Sequence, residues 1–403
     1  MNRERRDLQG WIRPDVLLRF ELRQAREEGK IVPEVEAEWL ALRRSSRNET
    51  SSATGRTDRD QRTLQLLDHV VCMARPLRAE EPEDVHEFLP AVGQPSCEFD
   101  CDRLASAWHG RVGAAQAASR RRRTSGAAEV TSSAGPVAAI YEGAAVDAPL
   151  QTLLVAERLG LDFETIDVGQ LWLECLPLGR LAGAERVAAR NLLENRLPPE
   201  TAVFRNPFRE WDSALGRTET YGWFTNGDVR KAAELAWRDA RLSHSSNGVY
   251  AGMFMAAAHA VALTGRSPSE CADVALGVIP SASRLAVAIR FARHLEGPWT
   301  TRLSRLKQEL RRLHERHAVA TGALIALTLY SAGTYSEALS IVSSSDTVTP
   351  STAASIGSLF GASEKIDPGR RTELRAHSSL PTFSDLTPTG IARRIAAATS
   401  GEH

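Results

Sequence analysis

The sequence has little that would carry it to a membrane, a secretory route or a polyanion. Its 403 residues contain 50 Lys and Arg against 50 Asp and Glu, so the formal net charge is zero. That removes a global electrostatic pull toward nucleic acid or anionic lipid, and neither is expected as a partner. No stretch approaches the ~18 uninterrupted apolar residues of a spanning helix. The first residues, MNRERRDLQGW, lack the apolar core of a secretory signal. Cysteine is scarce: Cys72, Cys97, Cys101, Cys175 and Cys271. Cys97 and Cys101 stand in a C-x3-C spacing, but no second close pair or His pair completes a zinc set. An odd count without a signal fits reduced thiols, and a cytoplasmic location is expected. Runs of alternating β-branched residues are absent, as are a Gly-rich P-loop, a Gly-x-Ser-x-Gly elbow and a His-Glu-x-x-His pair.

What the chain has in quantity is Ala- and Leu-rich helical periodicity. Pro14 opens DVLLRFELRQAREEGK, and Pro33 opens VEAEWLALRR. Residues 46–62 are polar and predict a linker, followed by a short helix around Leu64–Ala74. The main domain begins near residue 96, with the small-residue helix CDRLASAWHGRVGAAQAAS. A basic and then Gly/Ser-rich stretch, RRRRTSGAAEVTSSAG, predicts a loop, and from Ala148 onward helices follow one another. Ser267, with Pro268 after it and Glu270 three residues on, predicts a capping box. RLSRLKQELRRLHERH predicts one long helix ending near His317. The expectation is an all-α bundle, each helix burying an apolar face against the others. Residues 1–95 form an N-terminal helical region and residues 96–403 the main domain.

Residues Trp211 to Ala257 carry the most specific signal. They contain Tyr221-Gly222, Gly227-Asp228, the run Ala232 to Ala236, Arg238-Asp239-Ala240, Ser243-His244, and Asn247 to Tyr250. In order and spacing this resembles the central segment of the ADP-ribosylglycohydrolase family, in a branch with an extra N-terminal helical region. Ala107 to Gly113 is similar to the family's opening helix, and Gly357 to Ala362 to the end of its last active-site helix. Arg190 to Leu193, Leu197 to Thr201 and Asn206 to Trp211 resemble the branch's middle section.

The resemblance implies hydrolysis of a glycosidic bond at the anomeric carbon of ADP-ribose, through an oxocarbenium-like transition state. It also implies magnesium ions that orient ribose hydroxyls and a water. Such hard cations take oxygen ligands, mostly carboxylates. The family supplies these from an acidic cluster opening a helix in the first half and from an Asp-Thr-Asp near the C-terminus. Both places are altered here. Before Thr152 stand Gly143 to Leu150, in which Asp147 is the one carboxylate. Before Ala354 stand Ser344 to Pro350. The second motif is then either Asp346-Thr347-Val348 or, counted back from Gly357, Val348-Thr349-Pro350. Asp147, Asp346 and Thr347 are the surviving metal-ligand candidates, and Glu219 joins the two aspartates as the catalytic candidates.

Each candidate has a plainer reading. Asp147 is either a remnant ligand or a helix N-cap with Pro149 just inside the helix. Asp346 is either a ligand or a loop residue. Glu219 either faces the cleft or forms a structural ion pair beside Arg217. His244 and Asn247 either contact a ligand or cap a turn. Tyr250 and Phe254 either stack on an adenine or belong to the core. His314 and His317 are weak metal candidates, and Arg120 to Arg123 either attract phosphate or lie in a solvated loop. The leading expectation is a catalytically degenerate homologue that binds an ADP-ribosyl or ribosyl group. The alternatives are an active magnesium-dependent hydrolase of an N- or O-glycosidic bond, and a structural or partner-binding protein. The oligomeric state is not readable from the sequence.

Overall fold

The computed structural model describes residues 14–27, 33–45, 53–73, 85, 89, 99–124, 144–366, 376–380, 382–383 and 386–400. Cys97, residues 46–52 of the polar stretch, most of the acidic turn at 80–90 and the Gly/Ser-rich loop at 125–135 lie outside them. Every ordered element among the described residues is helical, as expected, and an isolated antiparallel bridge joins Trp211 to His317. No helix among them is long and apolar enough to cross a membrane.

In chain order the α-helices are α1 (Pro14–Glu27), α2 (Pro33–Ser45), α3 (Ala53–Met73), α4 (Cys101–Thr124), α5 (Ala144–Leu159) and α6 (Thr165–Cys175). Then come α7 (Gly183–Leu193), α8 (Glu200–Val203), α9 (Ser213–Thr218), α10 (Val229–Ala240), α11 (Asn247–Ala262) and α12 (Pro268–Ala275). The last are α13 (Arg284–Arg293), α14 (Trp299–Glu309), α15 (Ala318–Leu329), α16 (Tyr335–Ser344), α17 (Pro350–Glu364) and α18 (Pro388–Ser400).

Helix α11 is buried at every position from Asn247 to Ala262. A helix apolar on all sides can only be a central one, and α11 contacts α9, α10, α12, α15 and α17. Helices α4 and α17 approach backbone to backbone. A Cβ on Gly110 would lie 2.1 Å from the Gly357 carbonyl oxygen, and one on Gly361 would lie 2.3 Å from that of Ser106. Glycine is required at this crossing because only a missing side chain permits the distance. The Ser106 hydroxyl donates to the Gly361 carbonyl at 2.6 Å. Helix α18 covers α4 with Ile391, Ala392 and Ile395.

The N-terminal helices have a core of their own. Leu17, Leu18, Leu22 and Ala25 meet Val35, Leu66, Leu67 and Val70, and the cluster extends onto Ala184, Val187 and Phe208 of the main body. Two ion pairs cross the same boundary. Arg205 reaches both carboxylate oxygens of Asp68 at 2.7 and 2.6 Å, and Arg209 pairs with the buried Glu21 at 2.9 Å.

Caps mark several boundaries. Ser267 and Glu270 form the reciprocal capping box, with Pro268 at the first helical position. Asp228, Ser283, His317 and Thr349 each accept a backbone N–H of the turn they precede. Four elements differ from expectation. The polar stretch is helical from Ala53, where Arg62 pairs with Glu38 on α2. Arg120 to Arg123 continue α4 instead of entering the loop. Helix α14 stops at Glu309, so His314 and His317 are not on it: His314 stacks on Trp211 at 4.8 Å, and His317 caps α15. Helix α5 starts at Ala144, one turn earlier than a cap at Asp147 requires, so Pro149 lies inside it.

Candidate functional site

The first turns of α5 and α17, where the acidic motifs are expected, come together on α4. Ala145, Ala354 and Ala115 form one small buried cluster at that junction. Arg111 stands one turn before Ala115 on α4, 1% exposed. Its Nε donates to the Ala145 carbonyl at 2.5 Å, and its Nη2 lies 3.4 Å from the Gly216 carbonyl. Its Nη1 forms an ion pair with Oε1 of Glu219, which is wholly buried. The proline inside α5 explains the first contact. Pro149 has no N–H, so the carbonyl four residues back, that of Ala145, loses its helical partner. Arg111 supplies the missing donor. Beside it, Glu219 Oε2 is buried without a hydrogen-bond partner, as is Ser355 Oγ, which faces Gly216.

The expected ligands each have their own surroundings. Asp147 lies in the first turn of α5, and both its oxygens are used. Oδ1 accepts from the Ser378 hydroxyl (2.7 Å) and the Ser379 N–H (2.9 Å), while Oδ2 accepts from the Ser379 hydroxyl (2.6 Å). Its carboxylate thus ties residues 378–379 to α5. Asp346 is exposed and pairs with Arg121 of α4. Thr347 has a buried, unpartnered hydroxyl, and Val348 is fully buried. Thr349 accepts from the Thr352 N–H at 3.1 Å as the cap of α17, with Pro350 following it. Among the described residues, no group of three or more His, Cys, Asp or Glu side chains is placed to hold a metal ion.

Glu219 and Arg217 do not pair with each other. Arg217 belongs to a second buried network, in which Nε donates to Asp239 (2.9 Å), Nη1 to Glu185 (2.7 Å) and Nη2 to the Ser243 hydroxyl (3.1 Å). The Tyr221 hydroxyl donates to the other oxygen of Asp239 at 2.8 Å. His244 closes a ring: its Nδ1 is 2.8 Å from Ser243 Oγ, its Nε2 is 3.0 Å from Ser213 Oγ, and Ser213 donates to Glu185 at 2.8 Å. One proton arrangement satisfies every member. Ser243, accepting from Arg217, donates to Nδ1; Nε2–H donates to Ser213, whose own proton goes to Glu185. The imidazole is then neutral. Burial, and secondly the charge of Arg217, holds its pKa well below the usual value. Burial, then Asp239, pushes the Tyr221 phenol well up.

Asn247 belongs to a third network. Its side-chain oxygen accepts the Leu285 N–H at 2.9 Å, and its amide contacts Glu210 at 3.3 Å. The same Glu210 oxygen takes Arg284 at 2.5 Å and lies 3.4 Å from His317 Nε2. Burial pushes the Glu210 pKa up, but the His317 contact and the charges of Arg284, His317 and Arg209 outweigh it and hold it at about 2. Tyr250 and Phe254 are buried in the main core.

Arg111, Glu185, Asp239 and Glu210 escape sequence reasoning because their partners are distant in the chain. The signal for Arg111 is a lone charge between Gly110 and Gly113 in an Ala-rich helix.

Residues 101–368 match the family model described as ADP-ribosylglycohydrolase. No curated protein matches the chain.

Proposed function

The chain belongs to the ADP-ribosylglycohydrolase family, and from that premise we propose that it is a catalytically degenerate member that binds an ADP-ribosyl or ribosyl group without hydrolysing it efficiently. The observation that carries this reading is the engagement of Asp147. Its two oxygens already accept three hydrogen bonds from Ser378 and Ser379, three of the about four a carboxylate can take, which leaves little capacity for a metal. Asp346 points to solvent against Arg121, 90% exposed. In the alternative register Val348 and Pro350 offer no side-chain oxygen at all. A magnesium pair of the family type needs several converging carboxylates, and the residues present do not fit it.

The buried networks support a retained scaffold. Arg217, Asp239, Tyr221, Ser243 and His244 all come from the segment that carries the family resemblance, and their role in this reading is to hold α7, α9, α10 and the turn before α11 in register. Glu219, His244, Asn247 and Tyr250 then act beneath the surface, as positioning residues.

The test is a thermal-shift titration with ADP-ribose, with and without magnesium, alongside a hydrolysis assay on ADP-ribosylated arginine, serine and small ribosides. The expected result is a rise in Tm that is the same in both buffers, with no turnover. A ligand that binds only the folded state adds about 2.7 kcal/mol at a hundredfold excess over Kd. Magnesium-dependent turnover would establish the active hydrolase instead. No shift in either buffer would favour a structural or partner-binding role.

A further inference from the structure

Helix α14 lies shallow on the body: of its 11 residues only Leu306 is buried. Between α14 and α13 runs an open groove of about 540 Å³. Phe291 and Leu295 of α13 form its apolar floor, and Ser304, Arg305, Gln308 and Glu309 of α14 line its polar side. The apolar row continues past the groove. Val287 stands one turn before Phe291 on the same face of α13 and is 53% exposed. An exposed apolar stripe beside a polar, charged rim is the arrangement of an association surface.

The charges on that rim select what covers it. Arg305 and Glu309 are both exposed, and neither has an ion-pair partner among the described residues. They stand one turn apart without pairing, in the order, cation before anion, that gives the weaker pair within a helix. A cation and an anion one turn apart are each other's complement under a two-fold rotation. An axis perpendicular to α14 and passing between them sets Arg305 of each copy opposite Glu309 of the other, with the two α14 helices antiparallel. A segment charged with one sign throughout would meet repulsion at one of the two positions. We propose that this face joins two copies of the chain in an isologous dimer, α14 of each lying across the groove of the other and two reciprocal Arg305–Glu309 pairs fixing the register. The stripe from Val287 to Leu295 supplies the area removed from water. The proposal does not depend on whether a ribosyl ligand binds.

The experiment is analytical ultracentrifugation of the full chain, without nucleotide, over a range of concentrations. The samples are the unaltered protein, Arg305→Glu, Glu309→Arg, an equimolar mixture of those two variants, and Val287→Asp. The unaltered chain is expected to dimerise. Each charge reversal should raise the dissociation constant at least about tenfold, because the two-fold then brings like charges face to face. The mixture should return to near the unaltered value, since one chain carries two carboxylates and the other two guanidiniums at the facing positions. Val287→Asp should weaken the dimer by loss of the apolar contact. Far-UV circular dichroism of every variant should match that of the unaltered chain, since all three side chains are exposed. An unaltered chain that stays monomeric across the range would overturn the proposal and leave the groove to a different partner. A dimer that neither charge reversal weakens would also overturn it, as would weakened variants that mixing does not restore. A failure of ADP-ribose binding would leave all of these readings unchanged.

Discussion

Replacing Gly357 with alanine tests the α4–α17 crossing most directly. The added carbon would stand 2.2 Å from the Gly110 carbonyl oxygen and 2.5 Å from Ala114 Cβ. An ordinary carbon–oxygen contact is about 3.3 Å or more, so the helices must part by about 1 Å. Gly110 O is backbone and Ala114 Cβ has no torsion to turn, so no rotamer change relieves the clash. Overpacking of this kind costs about 1–3 kcal/mol, and the upper part of that range applies. Parting the helices also stretches the hydrogen bond from Ser106 to Gly361 (2.6 Å), which contributes about 1 kcal/mol. Removing a glycine from a helix interior returns about 1 kcal/mol. The net expectation is a loss of about 2–3 kcal/mol. Gly216→Ala is the control. Its new carbon meets nothing nearer than Ser355 Oγ at 3.8 Å, so the helical gain of about 0.5–1 kcal/mol should appear unopposed. Urea unfolding followed by circular dichroism and tryptophan fluorescence measures both. Gly357→Ala as stable as the parent, or Gly216→Ala less stable than it, would refute the reasoning.

Two further outcomes are expected. Ser246 has φ 45° and ψ −126° in the turn closed by the Gly248 N–H on the Ser245 carbonyl, a conformation suited to glycine; Ser246→Gly should stabilise the fold by about 1 kcal/mol in the same urea assay, and a drop would contradict the strain. Glu210, held at about 2 against an ordinary 4.5, contributes stability that is fully present above pH 4.5 and is lost as pH falls toward 2. The depression corresponds to about 3 kcal/mol, so Glu210→Gln should flatten the acid limb of a pH–stability profile, and an unchanged limb would assign the acid sensitivity elsewhere.

The all-α architecture was readable from local pattern, and so were boundaries with chemistry of their own. Ser267-Pro268 with Glu270, and the Pro14 and Pro33 starts, appear where the residues demand them. Helix α3 was missed over its first turns because its apolar residues begin only at Leu64; the earlier part carries charged side chains such as Arg62, which meets Glu38 on a neighbouring helix. The N-cap reading of Asp147, one of two for that position, makes Pro149 a helix-opening proline because that is the cheapest place for one. The compensating donor, Arg111, is 34 residues from the carbonyl it serves, and no local pattern reports such a partner. The same distance problem separates Glu219 from Arg111 by 108 residues. The side chains that surround the two expected motif positions depend on tertiary contacts that no local pattern reports.

The crossing of α4 with α17 also bears on how the protein is made. Ser106 and Gly361 are 255 residues apart, so the glycine face of α4 leaves the ribosome long before its partner. At about 5–20 residues per second, α4 would wait roughly 13 to 50 s for α17. During synthesis that small-residue face has to be shielded by other helices, by a chaperone or by transient contacts that α17 later displaces.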